Sequence, residues 1–316
     1  MDYVPGERLM DCWDDMGVLQ KTRTAKDLAR AMADMFTLTA SHCGVLLRDR
    51  SLDDSQRSQR YEPRAGDAPI VDAPDEAHTE VVDGDFVIGP VNDITFLQLT
   101  KTVPASLCGP FATERAFLEA IGYRNACGGT TVRDRLYRWP IERMFEIYDV
   151  IRPLYTPRID SAAPFHFAHA DLSVANLMVD PESGEITGLI DWEMAGFRPA
   201  WLCATSATWF DDDPCRFLVE DHQDGPNGYG EDTETDTWLR KVFLAELEEH
   251  NPTLLEHNRK GVELRVMFYN LCSDYTTNTT TWIDKYAKYH WDVTGRGQFP
   301  FDMQRWIEDI VDLDEE

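Results

Sequence analysis

The longest periodic stretch of the chain runs from residue 18 to about residue 41. Its apolar residues recur at intervals of three and four, which places them on one face of a helix. These residues are Ala25, Leu28, Ala29, Met32, Met35 and Phe36. The pattern predicts a long amphipathic helix that packs on another element through this face.

A second pattern occupies residues 165–192, where short apolar runs alternate with polar breaks. The runs at 165–169 and 176–180 are typical of buried strands, and a third run covers 186–192. A glycine-containing turn at 181–185 separates the second run from the third. The sequence therefore predicts an antiparallel hairpin.

Helical patterns occupy two further parts of the chain. A predicted cap at Thr113 precedes a short helix, and a second helix is predicted to begin at Pro140. The inward-facing residues of the first are Phe117, Leu118 and Ile121. Beyond Pro199 the pattern is helical again.

Residues 49–110 differ from both patterns. They are richer in Asp, Pro, Gly and Arg, and they contain only short β-like runs such as "EVVDGDFVI" at 80–88. This composition predicts an irregular surface insertion.

The composition excludes some partners. The 316 residues are 43% hydrophobic, which predicts a globular fold, but they carry a formal net charge of −27. Affinity for nucleic acid comes mainly from Lys and Arg, so no nucleic acid partner is expected.

Cysteine usage and hydropathy bear on location. Seven cysteines occur singly, which favours neither a disulfide framework nor a zinc knuckle and indicates a reducing, cytoplasmic compartment. The first residues resemble no signal peptide, and no apolar run of 18 residues occurs, so no membrane partner is expected.

The polar break within 165–192 contains the candidate chemistry. Pairing in the hairpin brings Asn176, at the start of one strand, beside Asp191, at the end of its neighbour. Asp171 lies on the loop just before them. Magnesium accepts carboxylate and amide oxygens together with water and phosphate oxygens. The arrangement is therefore typical of a site for phosphoryl transfer.

The spacing His-x-Asp-Leu-x-x-x-Asn, followed by a hairpin that ends in Ile-Asp-Trp, is similar to the protein kinase catalytic loop and its later metal-binding Asp. The stretch "HADLSVANLMVDPESGEITGLIDWEMAGFRPAW" at 169–201 resembles the aminoglycoside phosphotransferase and choline kinase-like family, particularly its fungal branch. Residues 1–13 resemble that family's hinge, and residues 108–118 resemble the segment before its helical insertion.

The resemblance implies an α+β, mainly helical fold. It would be a protein kinase-like C-terminal lobe with a catalytic-loop β-hairpin, a single domain over 1–316, and the β-sheet of the N-terminal lobe would be absent. Its parts would be a hinge remnant at 1–12, the irregular insertion at 49–110, the catalytic segment at 165–201 and a helical substrate-side region at 202–316.

The resemblance also implies roles for individual residues. Asp171 would orient the acceptor hydroxyl and take its proton, while Asn176 and Asp191 would hold Mg²⁺ on the phosphates of ATP. His169 would brace the loop, and Glu193 would support the metal-binding residues. The nucleotide would contact Tyr3, Val4, Met178 and Ile190.

The implied activity is ATP- and Mg²⁺-dependent transfer of the γ-phosphoryl group to a hydroxyl of a small molecule, with cationic acceptors among the candidates. The chain contains no G-x-G-x-x-G loop and no strand Lys of the kinase type, so impaired turnover is expected. The face left by the missing lobe is expected to be partly apolar and to favour self-association. The alternatives are a catalytically inactive pseudokinase-type binding module and, more weakly, a protein kinase.

Two other kinds of site are suggested by residue type. His166, His169 and Asp171 are zinc-ligand types, but on a strand the two histidines face opposite sides and cannot share a metal. Three tryptophans form either an aromatic box for a quaternary ammonium group or part of the core. They are Trp192, Trp201 and Trp209.

Overall fold

A computed structural model of the chain describes residues 4–48, 81–83, 86–91, 108–126, 145, 148–149, 151–155, 165–205 and 234–272. The described part is α+β, as predicted, with antiparallel sheets and helices packed against them. Tyr3 and Trp209 lie outside it.

The helices and strands are as follows. The described strands are β1 (Glu7–Arg8), β2 (Thr39–Ala40), β3 (Gly44–Arg48), β4 (Val81–Asp83), β5 (Phe86–Gly89), β6 (Phe165–Ala168), β7 (Leu177–Val179), β8 (Ile186–Leu189) and β9 (Gly196–Pro199). The described α-helices are α1 (Leu9–Cys12), α2 (Val18–Thr37), α3 (Glu114–Ala126), α4 (Ala200–Cys203), α5 (Glu234–His250), α6 (Pro252–Lys260) and α7 (Val262–Cys272). Short 3₁₀ turns cover Trp13–Asp15, Arg152–Leu154 and Trp192–Met194.

The described strands form two antiparallel sheets. The smaller has three strands in the order β1-β7-β8, and the larger has six in the order β2-β6-β9-β3-β5-β4. Besides the passage from β1 to β2 through helices α1 and α2, the described chain passes between the sheets twice, once from β6 to β7 through residues 169–176 and once from β8 to β9 through residues 190–195. We call these two segments the crossings.

Helix α2 buries the predicted face. Leu28 and Ala29 are fully buried and Met32 nearly so, whereas Met35 is only half-buried. The helix ends at Thr37 rather than near residue 41, because Thr39 and Ala40 pair with His166 and Phe165 as strand β2. Pairing with a distant strand therefore overrides the local helical period.

The core divides into two clusters. One lies between the six-stranded sheet and helices α3 and α7, and it includes Phe117, Phe165 and Trp201. The other joins α2 and α5 to the inner face of the hairpin, where Leu177 and Val179 are fully buried. The hairpin is thus anchored on its apolar face.

The β-like run predicted at 80–88 is present as strands, but its described residues belong to a regular sheet rather than to an irregular segment. Strands β4 and β5 form a hairpin there, and β5 pairs with β3 along its length. Ile88 is fully buried in the core, so this part is not a surface segment. The six-stranded sheet itself was not predicted from the sequence.

The local predictions for the hairpin and for α3 are confirmed. Leu177 pairs with Leu189 and Met178 with Gly188, and Gly184 in the turn has a φ of 76°, which suits glycine. Thr113 accepts a hydrogen bond from the N–H of Ala116 at 3.1 Å, and the predicted inward face of α3 is buried.

The other helical predictions are described in part. Residues 145, 148, 149 and 151 are helical, whereas the predicted start at Pro140 lies outside the described residues. Helices α5 to α7 match the helical character predicted beyond residue 199. Among the described helices, none combines the length and the apolar composition needed to cross a bilayer.

Candidate functional site

The two crossings share an unusual backbone feature. Ala170 on the first crossing has a φ of 63°, and Asp191 on the second has a φ of 64°. Among the described residues, these are the two that are not glycine and have positive φ. Left-handed conformations of such residues are strained and concentrate at functional sites. Ala170 immediately precedes Asp171, and Asp191 is itself one of the residues that the sequence singled out.

Asp171 and Asn176 are joined directly on the first crossing. The Nδ2 of Asn176 donates to the backbone oxygen of Asp171 and to its Oδ2, both at 2.9 Å. Asn176 is buried, whereas Asp171 is exposed to solvent. The double donation fixes the amide of Asn176, so that its Oδ1 is directed away from Asp171.

The second crossing lies against the first. The N–H of Ile190 donates to the backbone oxygen of Asn176 at 3.0 Å, and the exposed Asp191 follows Ile190 directly. The predicted adjacency of these two parts of the hairpin is therefore present in the main chain. Asn176 contributes an amide oxygen and Asp191 a carboxylate, and both are hard donors of the kind that Mg²⁺ takes. This donor set fits the metal implied by the resemblance.

His169 links the two crossings. It is fully buried, and its Nε2 donates to the backbone oxygen of Ile190 at 2.9 Å. Its ring also lies 4.7 Å from the ring of Trp192. His166, in contrast, bonds the backbone oxygen of Phe36 through Nδ1 at 2.7 Å. The two histidines thus have separate partners, as strand alternation predicts.

Trp192, on the second crossing, packs against strand β6. Its indole N–H donates to the backbone oxygen of Leu189 at 2.8 Å, and its ring stacks on Phe167. Trp201 is buried in the core, so these two tryptophans do not form the suggested box. Glu193 follows on the same 3₁₀ turn and is exposed.

The outer face of the hairpin lies next to the crossings. Met178 lies there, on the face opposite the buried Leu177 and Val179, and its partner across the hairpin is Gly188. A Cβ added to Gly188 would lie 2.5 Å from Cγ1 of Val4, so Val4 packs directly over this glycine. Val4, which precedes β1, therefore lies over Gly188, the residue that pairs with Met178.

Residues 94–234 match the family model described as the phosphotransferase enzyme family, APH. The matched segment includes the hairpin and both crossings, and it supports the resemblance to aminoglycoside phosphotransferases with their kinase-like fold. The family suggests a phosphotransferase that acts on small molecules, and its members generally use ATP and Mg²⁺. No curated protein and no solved structure matches the chain.

Sequence reasoning missed two features of this site. The strained Ala170 carries no motif of its own, although its place between His169 and Asp171 is a local signal. A cavity of about 410 Å³ beside Asp171 was also missed, because its lining comes from separate elements. The periodicity of α2 predicts which of its residues are buried, but it does not predict that the half-buried Met35 lines a cavity.

Proposed function

We propose that this chain is an ATP- and Mg²⁺-dependent phosphotransferase that acts on a hydroxyl of a small molecule. The observation that carries the proposal is the double hydrogen bond from Asn176 to Asp171, held against Ile190 and Asp191 by backbone pairing. The family match over residues 94–234 supports it.

Each residue has a task in this proposal. Asp171 has one carboxylate oxygen engaged by Asn176, and its other oxygen orients the acceptor hydroxyl and takes its proton. Asn176 and Asp191 hold Mg²⁺, which when bound neutralises charge on the phosphates. His169 holds the two crossings together through its hydrogen bond to Ile190. Glu193, two residues after Asp191, supports Asp191.

The nucleotide base lies on the outer face of the hairpin. Met178 supplies apolar contact under the adenine, together with Val4 and the half-buried Ile190. The resemblance adds the backbone of Tyr3, which lies outside the described residues, as a hydrogen-bonding group for the base. Gly188 allows Val4 to pack against this face, because a larger side chain at residue 188 would clash with Val4.

We also propose that the 316-residue polypeptide turns over slowly. Its sequence contains neither a G-x-G-x-x-G loop nor a kinase-type strand Lys, and these groups normally stabilise the transferring phosphate. Loss of one such donor typically lowers the rate by roughly 10²- to 10³-fold. A turnover of about 1 to 100 s⁻¹, typical of complete kinases, would contradict this part of the proposal.

Thermal unfolding with Mg²⁺ and ATP tests the site. A ligand that binds only the native state stabilises it by about 2.7 kcal/mol at a hundredfold excess over Kd, so the midpoint should rise with ATP concentration. Asp191→Ala should abolish the rise, because it removes a metal ligand. Asp34→Asn, an exposed change on α2, should keep it.

The same measurement distinguishes the rival function. If Mg²⁺ and ATP leave the unfolding midpoint unchanged in both the parent protein and Asp191→Ala, the phosphotransferase proposal is overturned and a binding module is favoured. A rise that persists in Asp191→Ala would show that nucleotide binds elsewhere.

A further inference from the structure

The cavity beside Asp171 has the size of a small-molecule site. Its volume is about 410 Å³, within the usual range of roughly 300 to 1,000 Å³ for ligand pockets. It is bounded by the last turns of α2, by β6 and the first crossing, by α4 and by α7. Because Asp171 is part of its wall, the cavity adjoins the proposed proton acceptor.

The wall is largely apolar. Two flexible thioethers, two phenyl rings and two leucine side chains contribute to it, and such side chains adapt to apolar ligands of varied shape. These residues are Met32, Met35, Phe167, Leu172, Leu202 and Phe268. Burial raises the pKa of the Cys203 thiol to about 12, so this further lining residue stays neutral at physiological pH.

The charged lining residues do not favour a cationic ligand. Within the described part of the wall, Asp171 is the sole carboxylate, and Arg198 adds a positive charge. Arg198 is 1% exposed, and its guanidinium donates to the backbone oxygens of Gly44, Met194 and Phe197. A ligand with several ammonium groups would lose its hydration here and find one carboxylate in return.

We propose that the phosphate acceptor is an uncharged alcohol with an apolar body. The body occupies the cavity, and the hydroxyl lies at Asp171. This inference rests on the proposed function for the role of Asp171, and it narrows the acceptor to a class other than the cationic candidates suggested by the resemblance.

The transfer balances with ATP as the phosphate donor. The acceptor oxygen forms a bond to the γ-phosphorus while the bond from that phosphorus to the β–γ bridging oxygen breaks. Asp171 takes the hydroxyl proton, and ADP leaves with the bond's electron pair.

Binding without nucleotide tests the cavity. The probe is 4-(trifluoromethyl)benzyl alcohol, titrated into the full chain and observed by fluorine NMR. Choline and kanamycin are the comparison ligands, and their binding is measured by competition with the fluorinated alcohol. The parent protein should bind the alcohol saturably and at least tenfold more tightly than either cation.

Matched variants on α2 locate the binding. Met35 lines the cavity and is half-buried, whereas Leu19 on the same helix is 84% exposed. Met35→Glu should weaken alcohol binding at least tenfold because it introduces a charge into the wall, and Leu19→Glu should leave it unchanged. Met35→Trp, which fills space without adding charge, should weaken binding similarly if Met35→Glu fails to fold.

The results separate this inference from the proposed function. The inference would be overturned if choline or kanamycin bound more tightly than the alcohol. It would also be overturned if neither Met35 variant changed the affinity for the alcohol. Phosphorylation of choline without phosphorylation of the alcohol would overturn it and leave the phosphotransferase function standing. Alcohol binding at Met35 with no response to Mg²⁺ and ATP would overturn the function and leave the cavity's ligand class supported.

Discussion

At the scale of single residues, Ala170 is the strained position of the first crossing. Its φ of 63° costs a residue with a Cβ about 1 to 2 kcal/mol relative to the ordinary helical region. The strain lies one residue before Asp171 and one after His169, where it turns the chain between the brace and the proposed proton acceptor.

Replacement of Ala170 by glycine should therefore stabilise the protein. We expect Ala170→Gly to raise the free energy of unfolding by about 0.5 to 1 kcal/mol, since the relief of strain exceeds the added chain entropy of glycine. Urea denaturation measures the change. Ala195→Gly, at an ordinary φ of −64°, is the control and should destabilise. A loss of stability in Ala170→Gly would show that the chain entropy of glycine outweighs the relief of strain.

The residues of the site differ in how readily the sequence predicts them. The adjacency of Asn176 and Asp191 follows from spacing, because a short hairpin fixes which residues meet across its strands. Asp171 is added by its place on the loop that leads into the hairpin. The cavity residues follow from no such rule. Met35 and Phe268 line one cavity only after α2 and α7 have packed around β6 and α4.

At the scale of elements, α2 and α5 are joined by an ion cluster centred on Glu246. This carboxylate is 4% exposed, and it lies 2.6 Å from Nη2 of Arg30, 3.3 Å from Nζ of Lys26 and 3.0 Å from Nε2 of His250. Burial alone would raise the pKa of Glu246, but the hydrogen bonds from these three partners outweigh it and lower the pKa. The stability that Glu246 contributes is therefore present at neutral pH and is lost as the pH falls below the ordinary Glu value of about 4.3.

Glu246→Gln should loosen the contact between the two helices. The change removes the charge but keeps the shape, and hydrogen bonds to charged groups contribute roughly 1.5 to 3 kcal/mol each. Because the cationic partners stay partly in water, we expect a loss of about 2 kcal/mol in all. Glu249→Gln on the same helix is exposed and should change the free energy of unfolding by less than about 0.5 kcal/mol. Equal effects of the two substitutions would contradict the assignment.

Elements with strong local signals were predicted, and elements that depend on partners were not. Helices α2 and α3 and the hairpin of β7 and β8 carry their own periodicity, caps and turn residues. Strand β2 has two residues, and β9 contains glycine and proline, so neither has a local β signal. Both become strands because β6 lies between them and pairs with each.

At the scale of the whole molecule, acid stability depends on buried histidine. His257 is 3% exposed, its Nδ1 bonds the hydroxyl of Tyr155, and burial lowers its pKa to about 4. The unfolded chain has the ordinary histidine pKa of about 6.5, so between these values the unfolded state binds a proton that the folded state does not. Stability therefore falls as the pH falls from about 6.5 towards about 4.

His257→Gln should flatten this dependence. From the two pKa values, the parent protein loses about 2 kcal/mol between pH 7 and pH 5 through His257, and the variant should lack that component even if it is less stable overall. Urea denaturation at both pH values gives the slope. An unchanged slope in His257→Gln would refute the prediction.

The two crossings have a mechanical consequence for the whole molecule. They connect a three-stranded sheet to a six-stranded one, and His169 fastens them together from inside. A ligand that binds Asp171 and Asp191 together would connect the two sheets. Its binding should therefore slow amide hydrogen exchange in β6 and β9 as well as in β7 and β8. Ligand binding at Asp171 and Asp191 would thus reduce local opening in strands of both sheets.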